Sequence, residues 1–185
     1  MNLSNIEKRS RVLRGVRDFF YAQAFTEVET PVRIPAPALE THIDAPPSGK
    51  AWLRASPELH MKRLLAAGCT RLFQIGPCFR SGECGRRHNP EFTMLEWYRT
   101  EADYTDILRD TEALLNYVFE NVTGSVSFVY RGNTVSLARP WHCHTVREAF
   151  QKWAGWDPVE AWDADRFDAD MVGKGEPALP QDKPC

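Results

Sequence analysis

Residues 70–100 read TRLFQIGPCFRSGECGRRHNPEFTMLEWYRT, and their pattern decides the fold class. An apolar run, TRLFQIGPCFR over 70–80, and an alternating one, FTMLEWYRT over 92–100, enclose the polar stretch SGECGRRHNPE. This predicts two strands joined by a loop, a hairpin whose connection is long for its kind. In the second strand the period of two puts Phe92, Met94, Glu96 and Tyr98 on one face, with Thr93, Leu95, Trp97 and Arg99 on the other. Glu96 and Tyr98 therefore share a side, while Met94 and Trp97 read as sheet packing. The first strand ends in Arg80, and the loop adds Glu83, Arg86, Arg87, His88 and Asn89. A planar guanidinium and further donors gathered where strands meet suit a phosphate. Phe92, at the loop exit, can offer an aromatic face to a purine ring. These are the parts of a nucleotide clamp, although the hairpin taken alone also fits a solvated loop over a packed sheet.

Immediately upstream, AWLRAS (51–56) reads as a strand running into the helical stretch PELHMKRLLAAG (57–68). Ser56 can cap that helix, Pro57 suits its first position and Gly68 ends it, so Ser56-Pro57-Glu58 forms a sharp strand-to-helix corner. Lys62 and Arg63 read as the wet face of the helix. Residues 5–24 show Ile6, Val12, Leu13, Val16, Phe19 and Phe20 near helical spacing, with Arg11, Arg14 and Arg17 on the polar side. TEVETP (26–31) alternates like a strand and stops at Pro31. Pro35, Pro37, Pro46 and Pro47 then mark a long irregular connection up to Lys50. Downstream, 103–121 reads as a helix with the stripe Ile107, Leu108, Leu114, Leu115, Val118 and Phe119, and Gly124 lies beyond its end. VSFVYRGNTVSL (126–137) predicts a hairpin turning at Arg131 to Asn133. Thr145 and Glu148 make a capping box for a short helix through Trp153, closing at Gly155. After Trp156 the pattern fades, and 157–185 reads as a polar acidic tail, a candidate for poor order.

At 185 residues with 43% hydrophobic and 11% aromatic content, the chain can bury a core as one domain over 1–185. The net charge of −2 is unevenly spread. Lys and Arg outnumber Asp and Glu across 50–99, and the acids dominate from 157 onward. A basic centre in a near-neutral chain points to a local anion such as a nucleotide, because a nucleic-acid binder usually carries a broader positive excess; the plain alternative is a solvated charged face. The 5 cysteines contain no Cys-x-x-Cys pair, which argues for reduced thiols. Cys78 and Cys84 flank the loop and would cross-link only under oxidation. His142 and His144 in WHCHT (141–145) alternate on one side, but no second ligand pair has zinc-site spacing, so a surface loop is expected there. No run approaches the roughly 20 apolar residues of a membrane span, and MNLSNIEKRSR has no signal-peptide core. A cytoplasmic, membrane-free protein is the expectation.

FRSGECGRRHNPEFTMLEWY (79–98) resembles motif 2 of the class II lysyl-tRNA synthetases, in which Phe-Arg and a short acidic loop precede Arg-His-Asn-Pro-Glu-Phe-Thr-Met. SPELHMKRLLAAG (56–68) resembles the amino-acid-binding corner of that family, and RDFFYAQAFTEVETP (17–31) resembles its motif 1. Motif 1 would span about 11–31 and motif 2 about 70–100, and the likeness covers about 5–122. The wording RHNPEFTMLEWYR, with Trp97 between Glu96 and Tyr98, is similar to the elongation factor P (R)-β-lysine ligases, relatives that lack the anticodon-binding domain. The resemblance implies an α+β fold, an antiparallel sheet flanked by helices. It implies that Arg80 binds the ATP α-phosphate and stabilises charge during attack by an amino-acid carboxylate. Ser81, Glu83, His88 and Asn89 would help hold ATP and its Mg²⁺, and Phe92 would stack on adenine. Ser56, Pro57, Glu58, Glu96 and Tyr98 would read the two amino groups of lysine or β-lysine. The implied partners are elongation factor P and a second copy of the chain through motif 1, without tRNA.

Two departures stand out. The family usually has a glutamate that reads the adenine amino group where this chain has Gly82, with Glu83 following. Motif 3, a glycine-rich strand and helix bearing another ATP-binding arginine, finds no counterpart after residue 125. The chain is therefore expected to be the front part of such a domain, without an intact active site. The alternatives are a lysyl-tRNA synthetase fragment, disfavoured because those relatives carry a barrel ahead of motif 1, and a non-catalytic truncated paralogue that keeps the fold.

Overall fold

The chain opens on α1 (Leu3–Ala22), then β1 (Thr26–Glu27), β2 (Arg33–Ile34), β3 (Pro47–Ser48), β4 (Ala51–Leu53) and α2 (Glu58–Ala66). The long hairpin β5 (Arg71–Phe79) and β6 (Glu91–Arg99) follows, then α3 (Tyr104–Thr123), β7 (Ser127–Tyr130), β8 (Asn133–Ser136), α4 (Val146–Trp153) and α5 (Ala164–Asp170). These come from a computed structural model, which describes residues 3–160 and 162–171. Packing divides the chain into two compact units, Met1–Arg139 and Pro140–Cys185. The expected α+β architecture is present, with one addition. β5 and β6 pair antiparallel from Arg71↔Arg99 to Phe79↔Glu91, but β1 joins β5 in parallel, giving the order β1-β5-β6.

The core lies where α1 and α3 meet the odd-numbered face of β5. Phe20 is fully buried, stacks on Phe73 at 4.7 Å between centroids and meets Trp97 at 5.5 Å. Val16, Phe19, Phe25, Leu114 and Val118 complete the cluster, with Leu95 and Trp97 packed against it. Truncating a side chain such as Phe20 in this setting costs about 3–5 kcal/mol. The helical stripes read from sequence are only partly buried, since Ile6, Val12, Leu108 and Leu115 remain exposed. Each helix has a single supporting surface, narrower than the arc those residues cover. Two arginines placed on the wet side of α1 have partners. Arg11 donates to the carbonyl of Val122 near the end of α3, and Arg17 pairs with Glu27 at 2.9 Å. At the far end of β6, Arg99 pairs with the buried Asp110 of α3 at 2.9 Å.

Three local expectations need correction. The strand predicted over 26–31 pairs only at Thr26 and Glu27, because the Gln74 side chain, rather than a neighbouring backbone, accepts from the Thr30 N–H at 3.1 Å. The connection read as irregular up to Lys50 contains β2 and β3, which flank β4 in a small antiparallel sheet. Two-residue strands are too short to show alternation, and Pro47 fits an edge. The acidic stretch after Trp156 contains α5: Asp163 caps it by accepting from the Arg166 N–H at 2.8 Å, and Phe167 packs on Trp156 and Trp162. The rest of that stretch lies outside the described residues.

Other local signals come out as read. Thr145 and Glu148 form a reciprocal capping box, Gly124 takes a left-handed φ of 73° after α3, and β7–β8 turn through Arg131 and Gly132, both at positive φ. No described helix is long and apolar enough to cross a membrane.

Candidate functional site

The strand-to-helix corner and one face of β6 converge. The helix starts one position later than the capping pattern suggests: Pro57 is the N-cap and Glu58 the first helical residue. Ser56 still meets an orphan donor, its Oγ accepting from the Glu58 N–H at 3.1 Å. The same hydroxyl donates to Glu96 Oε2 at 2.9 Å, and the Tyr98 hydroxyl donates to Glu96 Oε1 at 2.5 Å. Both oxygens of Glu96 are thus held by neutral donors, and each keeps a lone pair for a further ligand. Burial pushes the Tyr98 phenol far up, and its hydrogen bond to Glu96 and the charges of Glu96 and Glu58 add to this. Tyr98 is therefore a fixed neutral donor. Lys62, one turn along α2, is hydrogen-bonded to Glu58, which raises its pKa together with the charges of Glu58 and Glu96.

Toward the loop end of the same face lie Phe92 and Arg80. The Arg80 guanidinium carbon sits 5.1 Å from the centre of the Phe92 ring, a cation–π contact. Its Nη1 is 3.8 Å from Glu83, while its Nε is buried without a hydrogen-bond partner. A buried, unpaired guanidinium N–H has lost its water and gained nothing in return, which leaves it suited to an incoming anion. Phe92 lies four positions before Glu96 on β6, about 13 Å at strand rise, so the two ends are a small ligand's length apart.

In the loop, the Ser81 N–H donates to the carbonyl of Asp44 at 2.8 Å, and Gly85 and His88 exchange backbone hydrogen bonds. The His88 and Asn89 side chains are exposed, with Asn89 and Phe92 lining a cavity of about 540 Å³ that also includes Arg9 and Glu91. Gly82 has φ +76°, backbone that a glutamate adopts only under strain, which accounts physically for the departure at that position. Glu83, the candidate substitute, points its carboxylate at Arg80.

Arg54 escaped the sequence reading. It is 1% exposed, donates from Nε to the Pro77 carbonyl at 2.9 Å and from Nη1 to both Thr30 O and Thr30 Oγ1, and packs against Gly76. Its backbone carbonyl accepts from the Phe79 N–H at 2.9 Å, so the corner is tied to the residue before Arg80. The available signal was an arginine interrupting the apolar run of a short strand. Cys78, on the same face of β5, is buried with Sγ 4.0 Å from Met94 Sδ. Its thiol pKa is raised by burial, opposed by Arg54 and Arg80. All the cysteines among the described residues are free. In the second unit the His142 and His144 rings stack at 6.0 Å, and His144 meets the edge of Trp153.

The family model for tRNA synthetases class II (D, K and N) matches residues 1–175. The chain belongs to that family. Among curated relatives, the lysine–tRNA ligase of Carboxydothermus hydrogenoformans is 38% identical over 166 residues, covering 83% of this chain and 34% of the relative. That of Chromohalobacter salexigens is 40% identical over 168 residues, 88% of this chain and 33% of the relative. That of an Azoarcus species is 34% identical over 179 residues, 93% of this chain and 36% of the relative. The chain thus spans about a third of the length of these relatives. The two segments that resemble class II motifs, 11–31 and 70–100, fall in the first compact unit, on α1–β1 and on the β5–β6 hairpin.

Proposed function

We propose that the protein activates a lysine-type amino acid, β-lysine in particular, with ATP, forming an aminoacyl-adenylate and releasing pyrophosphate. The observation that carries this reading is the paired arrangement on one sheet face. Glu96 of β6 stands at one end, tied through Ser56 to the helix start that carries Glu58, and an arginine with an unsatisfied buried N–H lies over an aromatic ring at the other. Acidic partners suit a substrate with two ammonium groups. Ser56 and Tyr98 orient the carboxylate of Glu96, and Pro57 is proposed to line the amino-acid site beside them. Arg80 is the residue proposed to meet the α-phosphate where charge grows as the amino-acid carboxylate attacks. Phe92 would stack on adenine, with Ser81, Glu83, His88 and Asn89 around the nucleotide. Mg²⁺, when bound, neutralises triphosphate charge. Triphosphate oxygens are among the ligands that suit Mg²⁺.

For the acceptor, the wording RHNPEFTMLEWYR favours a lysine amine of elongation factor P. The second reading, transfer to tRNA, is favoured by the lysine–tRNA ligases among the relatives. Supplying the protein with ATP, labelled amino acid and either acceptor separates them, and label on only one decides. Pairing of two copies through α1 and β1 is part of the proposal. Leu3, Ile6 and Tyr21 are apolar or aromatic side chains of α1 left exposed in the single chain. Sedimentation at micromolar concentration should then read a dimer, and a clean monomer counts against it.

The activation step itself is tested at Arg80. Arg80→Ala should cut amino-acid-dependent pyrophosphate exchange roughly 100-fold or more. Arg80→Lys should recover little, because an ammonium cannot reproduce planar two-pronged donation. Near-normal exchange in Arg80→Ala would show that the likeness extends to the fold alone.

A further inference from the structure

The Glu58–Lys62 pair can be read as one more i,i+4 contact on an exposed helix face, in the favourable order with the acid first. Its position argues for more. Glu58 is the first residue of α2, at the corner whose serine holds Glu96, and the Glu58 N–H donates to the same serine hydroxyl. Counting formal charges, Glu58 and Glu96 contribute −2 and Lys62 restores +1, so these three side chains together carry −1. A lysine-type amino acid carries two ammonium groups and one carboxylate, a net +1. The simple diamines with the same amine spacing but no carboxylate, 1,5-diaminopentane for lysine and 1,4-diaminobutane for β-lysine, carry +2.

We propose that Lys62 is a specificity-determining residue, setting the charge of the corner to match a diamino acid and to disfavour a free diamine. The proposal rests on the amino-acid reading above and deepens it. The physical argument is one of differences. Both ligands present two ammonium groups to Glu58 and Glu96, and Lys62 repels those groups in both. Only the amino acid also has a carboxylate, whose attraction to the Lys62 ammonium offsets part of the repulsion. Removing the lysine charge should therefore help the diamine more than the amino acid. The side chains of Lys62 and Glu58 are 55% and 39% exposed, so solvent screens the effect and the expected change is modest and salt-sensitive.

The test is isothermal titration calorimetry of the protein with lysine or β-lysine, whichever the wild type binds more tightly, and with the diamine of matching spacing, 1,5-diaminopentane for lysine or 1,4-diaminobutane for β-lysine. Lys62→Met should shift the affinity ratio about fivefold toward the diamine at low salt, with the shift collapsing near 1 M salt. Lys62→Arg should keep the wild-type ratio, since it keeps the charge. Lys62→Gln repeats the neutral substitution with a polar tip, in case Lys62→Met does not fold. Glu58→Gln combined with Lys62→Met returns the corner to −1 and should bring the ratio back toward wild type. A purely structural helix pair would lower the melting temperature in the neutral variants and leave the ratio alone. If the wild type binds the amino acid and the ratio stays within twofold in the neutral variants, the proposal is overturned by itself. If the wild type binds neither lysine nor β-lysine, the amino-acid reading falls, and this proposal with it.

Discussion

Gly76→Ala tests the buried Arg54 network that ties the corner to the hairpin. A Cβ added at Gly76 would lie 2.7 Å from Arg54 Nη2 and 3.3 Å from Gln74 Nε2, and the glycine sits in ordinary strand backbone, so the obstacle is space alone. A clash with the tip of a long side chain is usually relieved by swinging the tip away. Here the guanidinium is 1% exposed and bound to Pro77 O at 2.9 Å and Thr30 O at 2.8 Å, so swinging it breaks charge-assisted hydrogen bonds inside the protein. Overpacking costs about 1–3 kcal/mol, and one such hydrogen bond about 1.5–3 kcal/mol. Reduced freedom of the unfolded chain returns about 0.4–1 kcal/mol. The net expectation is a loss of about 3.5 kcal/mol, or about 7–14 °C in Tm for a chain of this size. Urea unfolding should show a lower midpoint at unchanged slope. The double variant Gly76→Ala/Arg54→Lys should lose less than the sum of the singles by about 1 kcal/mol, because lysine has no second nitrogen at the clash position. A single variant within about 0.5 kcal/mol of wild type, or strict additivity in the double, would refute the packing argument.

Glu58→Gln and Glu96→Gln should each weaken amino-acid binding by roughly ten- to 100-fold, the loss of one charge-assisted contact of about 1.5–3 kcal/mol, while ATP binding in the same titrations stays nearly unchanged. Equal loss of both ligands would point to misfolding instead. Tyr98 gives a pH signature. Its phenol is raised in the folded state by burial, by its hydrogen bond to Glu96 and by nearby negative charge, above the unfolded value near ~10. The folded state then holds this proton more tightly, so the associated stability is complete below about pH 10 and is lost as pH climbs beyond it. Tyr98→Phe should flatten that alkaline decline in a pH series of urea midpoints, and an unchanged slope would assign the decline to other groups.

The sequence carried the hairpin because its two strands are long enough to display periodicity. Nine paired residues put Glu96 and Tyr98 on one face and Trp97 on the core side, as the alternation demands. The capping box of Thr145 and Glu148 was legible for a similar reason, since donor and acceptor lie three residues apart in the chain. What stayed hidden is what needs tertiary contact. Thr30, Arg54 and Gln74 are polar residues in short or apolar segments, and nothing local shows that they satisfy one another across 24 and 44 positions. The two-residue strands β2 and β3 are defined only by their partner β4. Lys62 looked like helix surface because spacing cannot tell a solvated lysine from one resting on the acid that opens its helix.

The hidden contacts also set how the two ends of the site relate. Ser56 is two residues beyond Arg54, and Arg80 is one beyond Phe79, whose N–H the Arg54 carbonyl accepts. A shift of the Arg54 backbone therefore moves the amino-acid corner and the phosphate-facing arginine together. Ser56 reaches Glu96 across the strands through one hydroxyl that also holds the Glu58 N–H, so a displacement of the corner must break one of those bonds or carry Glu96 with it. In the reading proposed above, activation requires an amino-acid carboxylate and an α-phosphate to meet in one geometry, where misplacement of about 1 Å can cost 100-fold in rate. A rigid link between the two ends serves that requirement better than two independently anchored loops. It also explains why a charged residue is retained in the interior of a small strand, where an apolar side chain of similar volume would often be no less stable.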